Sequence, residues 1–271
     1  LQDIEENYPK IVGADGPRSL KAAKALYEVI AKKGVITLSS TTAAEFEKVA
    51  EGIYRDVNIA LANELAKLAK LLNVDFEEVR KAANSQPFCH LHKPGIGVGG
   101  PCIPIYPYFA LHVALKYNLD LTLTRIARII NETMPEYVAN IAIKALEKAK
   151  IDVETAKIGI LGLAFRGNIG DTRLTPVIDL VQYLESYGVR NIVIHDPYAQ
   201  DNPTKYPLVR DLEKVVLSSD LLIIATDHNM YAEELPKLLY NTSKKLIIVD
   251  GRNVLQIRKV SRAKNVTYIR I

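Results

Sequence analysis

The sequence has few cysteines, no long apolar run and no block of like charges, and each absence excludes a class of protein. Only two cysteines, Cys89 and Cys102, occur in 271 residues, so we expect a reducing cytoplasm rather than a disulfide framework. No apolar run approaches the roughly 18 residues of a membrane-spanning helix, so no membrane partner is expected. Lys and Arg alternate with Asp and Glu, which argues against a nucleic-acid-binding tail.

What is present indicates a folded chain with room for two packed units. Apolar residues make up 48% of the 271 residues, and the formal net charge is +4. A mild positive balance suits a small anionic ligand. The chain begins at Leu1 rather than Met, so we expect a native start further upstream.

Three regions differ in their periodicity. Residues 1–40 contain two short apolar strands around a helix that Ser19 can cap; this β–α–β piece needs further strands to bury its faces. Residues 41–150 carry apolar residues at helical spacing. Residues 151–271 alternate four apolar strands with helices, which predicts a doubly wound parallel sheet of Rossmann type, with ligands at the carboxyl ends of its strands.

The helical region is predicted to hold one long helix near its start, a short helix capped by Asp75, and a stretch over Thr122–Lys150 interrupted at most by Pro135. Long apolar-striped helices between two α/β units suit a dimerisation domain. Packing within the chain explains the same stripe equally well.

The segment Lys93–Pro107 is the most informative for chemistry. Glycine gives a backbone that can approach a ligand closely and adopt positive φ, and a thiolate in such a loop is a candidate nucleophile. An inert cysteine beside a flexible loop is the alternative. The segment places four glycines just before Cys102: Gly95, Gly97, Gly99 and Gly100.

Two further patterns have both a functional and a structural interpretation. Cys89, His90, His92 and His112 are metal-binding residue types, but their spacing is not that of a structural zinc site. A strip of polar residues follows one face of the first long helix and suits a diphosphate or a substrate hydroxyl. A solvated helix face explains the strip too. It consists of Lys48, Gly52, Arg55, Asn58 and, less clearly, Asn63.

The segment Gly159–Pro176 runs from a strand into a helix, where a nucleotide is expected. Its spacing is G-x-x-G rather than G-x-G-x-x-G, so the NAD fingerprint is not matched. Asp196, at the end of the next strand, resembles the acidic partner of a ribose, although an Asp-Pro pair is more often a turn. The basic residues of this region suit phosphate binding; they are Arg166, Arg173 and Arg252.

Four motifs occur in one order over almost the whole chain: a lysine-bearing helix (Lys48), Gly99–Cys102, Ala164–Pro176 and Asp250–Arg252. Together they resemble the UDP-glucose/GDP-mannose dehydrogenase family, whose members have an N-terminal NAD domain, a helical dimerisation domain and a C-terminal UDP-binding domain. The resemblance implies that residues 1–40 are the end of the NAD domain, that residues 41–150 dimerise and that residues 151–271 bind UDP.

The resemblance also implies a reaction, in which NAD accepts two hydrides and the C6 alcohol of a UDP-sugar becomes a carboxylate. Cys102 is implied to hold the aldehyde as a thiohemiacetal and then a thioester, and Lys48 to assist proton transfer and stabilise the oxyanion. Arg173 is implied to face the cofactor, and no metal is expected. The implied substrate-binding residues are Arg55, Asn58, Gly99, Phe165, Arg166 and Arg252.

Within the family, the segments around Arg55 and Cys102 are most similar to members that oxidise UDP-N-acetyl-D-mannosamine. Departures are Gly52 in place of a usual asparagine, Tyr106 in place of a frequent aspartate, and Gln86 and Phe88 in place of sugar contacts. No NAD fingerprint is present, so the chain is expected to be an incomplete form, inactive alone. The alternatives are a UDP-glucose 6-dehydrogenase, a non-catalytic UDP-sugar-binding dimer and a phosphate-binding regulatory module.

Overall fold

The computed structural model describes residues 3–242, 244–256 and 265–271. Contacts between Cα atoms divide the chain into two compact units, Leu1–Tyr54 and Arg55–Ile271. The three-part division expected from the sequence stays a prediction. Among the described residues no helix is long and apolar enough to cross a membrane.

The first unit contains the predicted β–α–β piece. After a short π-helical segment, Asp3–Asn7, strand β1 (Lys10–Val12) pairs in parallel with β2 (Val35–Thr37). Helix α1 (Pro17–Ile30) connects them and begins earlier than the sequence predicted, with a proline in its first turn, where the missing N–H needs no partner. None of its residues is buried.

Helix α2 (Thr41–Leu71) begins in the first unit and is the predicted long helix. Its start is capped by the hydroxyl of Ser40, which accepts the N–H of Ala43 at 3.1 Å. Helix α3 (Phe76–Ala83) follows, and the Asp75 carboxylate accepts the N–H of Glu77 as the sequence predicted.

The predicted helical stretch over residues 122–150 is two helices. After α4 (Tyr106–Lys116), α5 (Thr122–Glu132) ends at Thr133, and α6 (Met134–Lys148) begins with Pro135 in its first turn. Proline lacks an N–H and crowds the preceding turn, so it starts a new helix more readily than it continues an old one.

The remaining elements form one parallel sheet of six strands in the order β5-β4-β3-β6-β7-β8. The chain moves outward from β3 in both directions, which is the doubly wound arrangement that the sequence predicted. The strands are β3 (Lys157–Leu161), β4 (Asn191–His195), β5 (Leu208–Val209), β6 (Leu221–Ile224), β7 (Leu246–Asp250) and β8 (Val266–Arg270).

Alternate residues of each strand enter different cores. In β6, Leu221 and Ile223 pack with α6 and α7 (Val177–Ser186), whereas Leu222 and Ile224 pack with α8 (Leu212–Ser218) and α9 (Asn229–Asn241). Both faces of the sheet are therefore covered by helices, which explains why its strands read as continuous apolar runs.

The sequence identified four of the six strands. Strand β5 has only two residues, too few to show a period, and β8 alternates polar and apolar residues with only partial burial at the sheet edge. Edge strands carry a weaker hydrophobic signal than central ones because only part of their surface is covered.

Candidate functional site

A cavity of about 570 Å³ opens in the second unit around the glycine-rich loop. It lies between helices α2 and α3, the loop that carries Cys102, and the segments that follow β3 and β7. Its lining comprises Arg55, Ile59, Arg80, Asn84, His90–Lys93, Gly97–Ile103, Phe165, Arg166, Asp171, Arg173 and Arg252.

Cationic side chains far outnumber acidic ones in this lining, where Asp171 is the one carboxylate among the described residues. Three of its guanidinium groups have a carboxylate partner: Arg80 pairs with Glu77 at 2.7 Å, Arg173 with Asp171 at 2.6 Å and Arg252 with Asp227 at 3.2 Å. The other two, on Arg55 and Arg166, make no ion pair with the part of the chain that the structure describes. Planar guanidinium groups in a concave site suit a ligand with several phosphate oxygens.

The charges in the cavity also act on its titratable groups. Burial lowers the pKa of His92, and electrostatic interaction with the neighbouring His90, Arg55 and Arg80 lowers it further. Burial opposes ionisation of Asp227, but the nearby Arg252 and Lys93 hold the pKa of its carboxyl below the usual value. His92 is therefore neutral near pH 7, and it can offer hydrogen bonds to a ligand without adding charge.

The glycines of the loop make room for protein atoms. A Cβ on Gly99 would lie 2.7 Å from the Cβ of Phe165 and 2.6 Å from the carbonyl oxygen of Leu174, and a Cβ on Gly95 would collide with the Arg252 guanidinium. Gly100, at φ +92°, packs against the Phe165 ring and donates its N–H to the Arg173 carbonyl at 3.0 Å. The contacts that the structure shows for these glycines are with the segments that follow β3 and β7, and their expected role in admitting a ligand stays a prediction.

Cys102 lies in the turn that leads into α4. Its carbonyl oxygen accepts the N–H groups of Ile105 and Tyr106 at 3.0 and 2.9 Å. Both cysteines are half-buried and neither forms a disulfide, but only Cys102 lines the cavity. The thiol is thus placed beside the cationic groups, where it can meet a bound ligand.

Three asparagines hold the segment before the glycines. The Asn58 Oδ1 accepts the His92 N–H at 3.1 Å, and Asn84 both accepts the Leu91 N–H at 2.7 Å and donates to its carbonyl at 2.9 Å. Asn63 accepts the Gly95 N–H at 2.9 Å. The predicted role of Asn58 in substrate binding stays a prediction; the contact that the structure shows is with the loop.

Lys48 belongs to the first unit, in α2. Its ammonium pairs with Glu51, three residues further along the helix, at 3.0 Å, and 61% of its side chain is exposed. An exposed pair of this kind contributes little to stability, so the ammonium can exchange this partner for another. The catalytic role expected for Lys48 stays a prediction.

The ribose-binding alternative for Asp196 is not supported by its surroundings. The carboxylate is fully buried and accepts the N–H groups of Leu163, Ala164, Tyr198 and Ala199 at 2.7 to 2.9 Å. The imidazole of His228 adds a fifth contact, Nε2 to Oδ2, at 3.0 Å. The acid that would bind a ribose and the strand-end N–H groups that would bind a pyrophosphate are therefore already paired with each other.

Sequence reasoning missed two polar residues of the cavity and left a third as part of a motif. Arg80 lies on α3 and Asn84 directly follows it; neither gave a chemical signal, and Asp171 was noted only within the segment after β3. The three become recognisable once α3 packs beside the loop. Within the described ranges, no cluster of three or more His, Cys, Asp or Glu side chains could hold a metal ion.

The chain is similar in sequence and in fold to known proteins. A UDP-N-acetyl-D-mannosamine dehydrogenase from Pyrococcus horikoshii is 39% identical over 91% of this chain and 56% of its own length. A solved structure of UDP-D-ManNAc dehydrogenase from the same species has a TM-score of 0.87 at 36% identity, covering all of this chain and 61% of the other. An NDP-N-acetyl-D-galactosaminuronic acid dehydrogenase from Methanosarcina mazei has the same TM-score at 28% identity, covering 100% and 59%.

The chain thus spans somewhat more than half the length of these relatives. Residues 42–133 match the central domain of the UDP-glucose/GDP-mannose dehydrogenase family, and residues 159–257 match its UDP binding domain. The two matches together cover more than half of the chain, and they contain most of the residues that line the cavity. The chain belongs to the UDP-glucose/GDP-mannose dehydrogenase family.

Proposed function

We propose that this chain supplies the UDP-sugar site and the nucleophilic cysteine of an NAD-dependent 6-dehydrogenase that oxidises UDP-N-acetyl-D-mannosamine to its C6 carboxylate. The observation that carries the proposal is a half-buried thiol, Cys102, in one cavity with five guanidinium groups. A diphosphate would be held by Arg55 and Arg166, whose guanidinium groups have no carboxylate partner among the described residues, together with Arg252. Phe165 and Gly99 would shape the site, and Arg173 would face the cofactor.

The role of Cys102 follows from what a thiolate can do. It would add to the C6 aldehyde, forming a carbon–sulfur bond while the carbonyl oxygen takes a proton. Loss of a hydride and of that proton would leave a thioester, which water would cleave to release the carboxylate and the free thiol. The ammonium of Lys48 would stabilise the negative oxygen of each tetrahedral species.

NAD supplies the hydride acceptor in this proposal, and the strand ends of the C-terminal sheet do not fit its ribose and pyrophosphate. The strand-end groups after β3 and β4 that bind a dinucleotide in a Rossmann fold are paired with one another through Asp196. We therefore assign no residue of the C-terminal sheet to NAD, and no step is placed on this sheet beyond UDP binding.

The sugar is inferred from the relatives. The Pyrococcus horikoshii and Methanosarcina mazei proteins carry names that specify an N-acetylated sugar. The exposed His90 and the half-buried His92 lie in the cavity wall, where their ring nitrogens would bind an acetamido group. UDP-glucose, which lacks this group, is the alternative substrate.

Calorimetric titration of the chain with UDP-N-acetylmannosamine, UDP-glucose and NAD tests the proposal. We expect the N-acetylated UDP-sugar to bind more tightly than UDP-glucose, and NAD not to bind the second unit. Tighter binding of UDP-glucose would overturn the choice of sugar. If neither UDP-sugar bound, the assignment of the cavity as a UDP-sugar site would be overturned.

Alkylation of the two cysteines tests the nucleophile separately, since Cys89 is an internal control of similar exposure. We expect iodoacetamide to modify Cys102 faster than Cys89, and UDP-sugar to protect only Cys102. Equal rates, with no protection, would favour a chain that binds UDP-sugars without catalysis.

Homodimerisation through residues 41–150 stays a prediction, and light scattering at micromolar concentration would check it.

A further inference from the structure

Four buried polar side chains, Asp56, Arg128, Asn131 and Asn63, form a hydrogen-bonded network beneath the cavity. The proposed chemistry does not use this network. Its last member, Asn63, has no exposed surface and lies in α2. Its Oδ1 accepts the N–H of Gly95 at 2.9 Å, and its Nδ2 donates to the Oδ1 of Asn131 at 2.9 Å. Asn131, on α5, is also buried.

At its other end this network contains an ion pair between Asp56 and Arg128. The Asn131 Nδ2 donates to the carboxylate and to the carbonyl oxygen of Asp56, each at 2.9 Å. The same carboxylate oxygen of Asp56 accepts a hydrogen bond from Nη1 of Arg128 at 2.6 Å. Both charged side chains are almost completely buried.

The orientation of the two side-chain amides in this network, those of Asn131 and Asn63, follows from the carboxylate of Asp56. An ionised carboxylate only accepts hydrogen bonds, so Asn131 must present its Nδ2 to Asp56. Its Oδ1 then faces Asn63 and requires a donor there, which leaves the Oδ1 of Asn63 as the acceptor for the Gly95 N–H. The orientation of both amides is thus determined by their partners rather than by the shape of the side chain.

Gly95 connects this network to Arg252, which lines the cavity. The glycine packs so closely against the Arg252 guanidinium that a side chain on it would collide with Nη1. A shift of the Gly95 backbone therefore changes the space that Arg252 occupies in the ligand site. The asparagine does not touch the cavity itself, since it is absent from the described lining.

We propose that Asn63 is a positioning residue, which holds the Gly95 backbone and thereby sets the position of Arg252 for the diphosphate of the ligand. This inference rests on the proposed UDP-sugar binding. Asn63 acts through Gly95, and the buried Asp56–Arg128 pair supplies the orientation that makes its Oδ1 the acceptor.

The variants Asn63→Leu and Asn63→Asp separate the two hydrogen bonds of the side chain. Leucine removes both, whereas aspartate keeps an acceptor for Gly95 and loses the donor to Asn131. Leu184→Ala, in the sheet core on α7, is the control for a general loss of stability. We expect N63L to bind UDP about tenfold more weakly than the wild type, N63D to lie between them, and L184A to bind as the wild type does.

Hydrogen–deuterium exchange of the ligand-free chain gives a readout that needs no UDP binding. We expect faster exchange over residues 89–98 in N63L, a smaller increase in N63D and none in L184A. Suppose that the wild-type protein fails to bind UDP although exchange over residues 89–98 is still fastest in N63L and intermediate in N63D. In that case the proposed function is wrong and the contact between Asn63 and the loop stands. The positioning role would be overturned if residues 89–98 exchanged in N63L at the same rate as in the wild type. It would also be overturned if UDP affinity followed only the thermal stability of the three variants.

Discussion

Two buried aspartates of the second unit, Asp56 beneath the glycine-rich loop and Asp196 at the end of β4, are equally hidden from solvent and differ in nearly everything else. Neither side chain is exposed. Burial raises the pKa of Asp56, and the positive charge of Arg128 only partly offsets this. Burial acts in the same direction on Asp196, yet hydrogen bonds from His228 and the backbone N–H groups of Ala164, Leu163 and Ala199 hold its pKa well below the usual range.

Because both carboxyls are equally buried, the number of hydrogen bonds that each accepts accounts for the opposite directions of their pKa shifts. Both oxygens of Asp196 accept hydrogen bonds, whereas the Oδ2 of Asp56 has no partner within the described residues. A carboxylate that accepts several N–H groups is stabilised in its charged form. A buried oxygen without a partner carries the full desolvation penalty.

Loss of one member of the Asp56–Arg128 pair is expected to have the largest effect. Arg128→Met leaves a buried carboxylate without its cation and should lower the free energy of unfolding by about 3–5 kcal/mol. Because one oxygen of Asp56 is already unpaired, the double variant Asp56→Leu, Arg128→Met should recover much of this loss. Chemical denaturation of the single and double variants measures both values, and a double variant as unstable as R128M would contradict the view that the pair is replaceable.

Asp196→Asn should cost somewhat less, about 2–3 kcal/mol of the free energy of unfolding, since an amide nitrogen would face N–H groups that need an acceptor. The folded pKa of Asp196 is depressed, so its stabilisation is complete above the unfolded value of about 3.8 and is lost as pH falls toward the folded value. The stability difference between wild type and D196N should therefore be constant near neutral pH and shrink below about pH 3.8.

The sign for Asp56 is the opposite. A carboxyl whose folded pKa is raised binds a proton more readily in the folded state, so its unfavourable charge is relieved as pH falls through the interval just above 3.8. Stability measured against pH in D196N, where the Asp196 contribution is removed, should thus fall less steeply in acid than in the wild type. Parallel acid limbs for the two proteins would contradict the contrast between the two carboxyls.

Gly95→Ala should have the smallest effect on folding and a clear effect on the ligand. The new Cβ would displace the far end of the flexible Arg252 side chain, so the free energy of unfolding should change by less than about 1 kcal/mol. UDP affinity should fall severalfold. Gly16→Ala, where nothing lies within 4 Å of the new Cβ, is the matched control, and equal UDP affinity of G95A and G16A would show that the position of Arg252 does not matter.

Local pattern predicted much of the fold. The four central strands were recognisable as short continuous apolar runs, α2 as a long segment with apolar residues at helical spacing, and α3 because Asp75 caps it. The helix break at Pro135 and the short edge strands were harder, because they depend on one residue or on partial burial. The motif residues that line the cavity, among them Cys102 and Arg166, were also chosen from the sequence, on the strength of a family resemblance.

The sequence by itself determined which segments become strands and helices, because hydrophobic period, caps and prolines act within a few residues. Only the tertiary structure decided the roles of individual polar side chains. Asn63 meets Gly95 32 residues later, and Asp56 meets Arg128 72 residues later, so neither contact leaves a local signal. Asp196 looked like a nucleotide partner from its place at a strand end, and it is instead a structural acceptor because folding surrounds it with five hydrogen-bond donors.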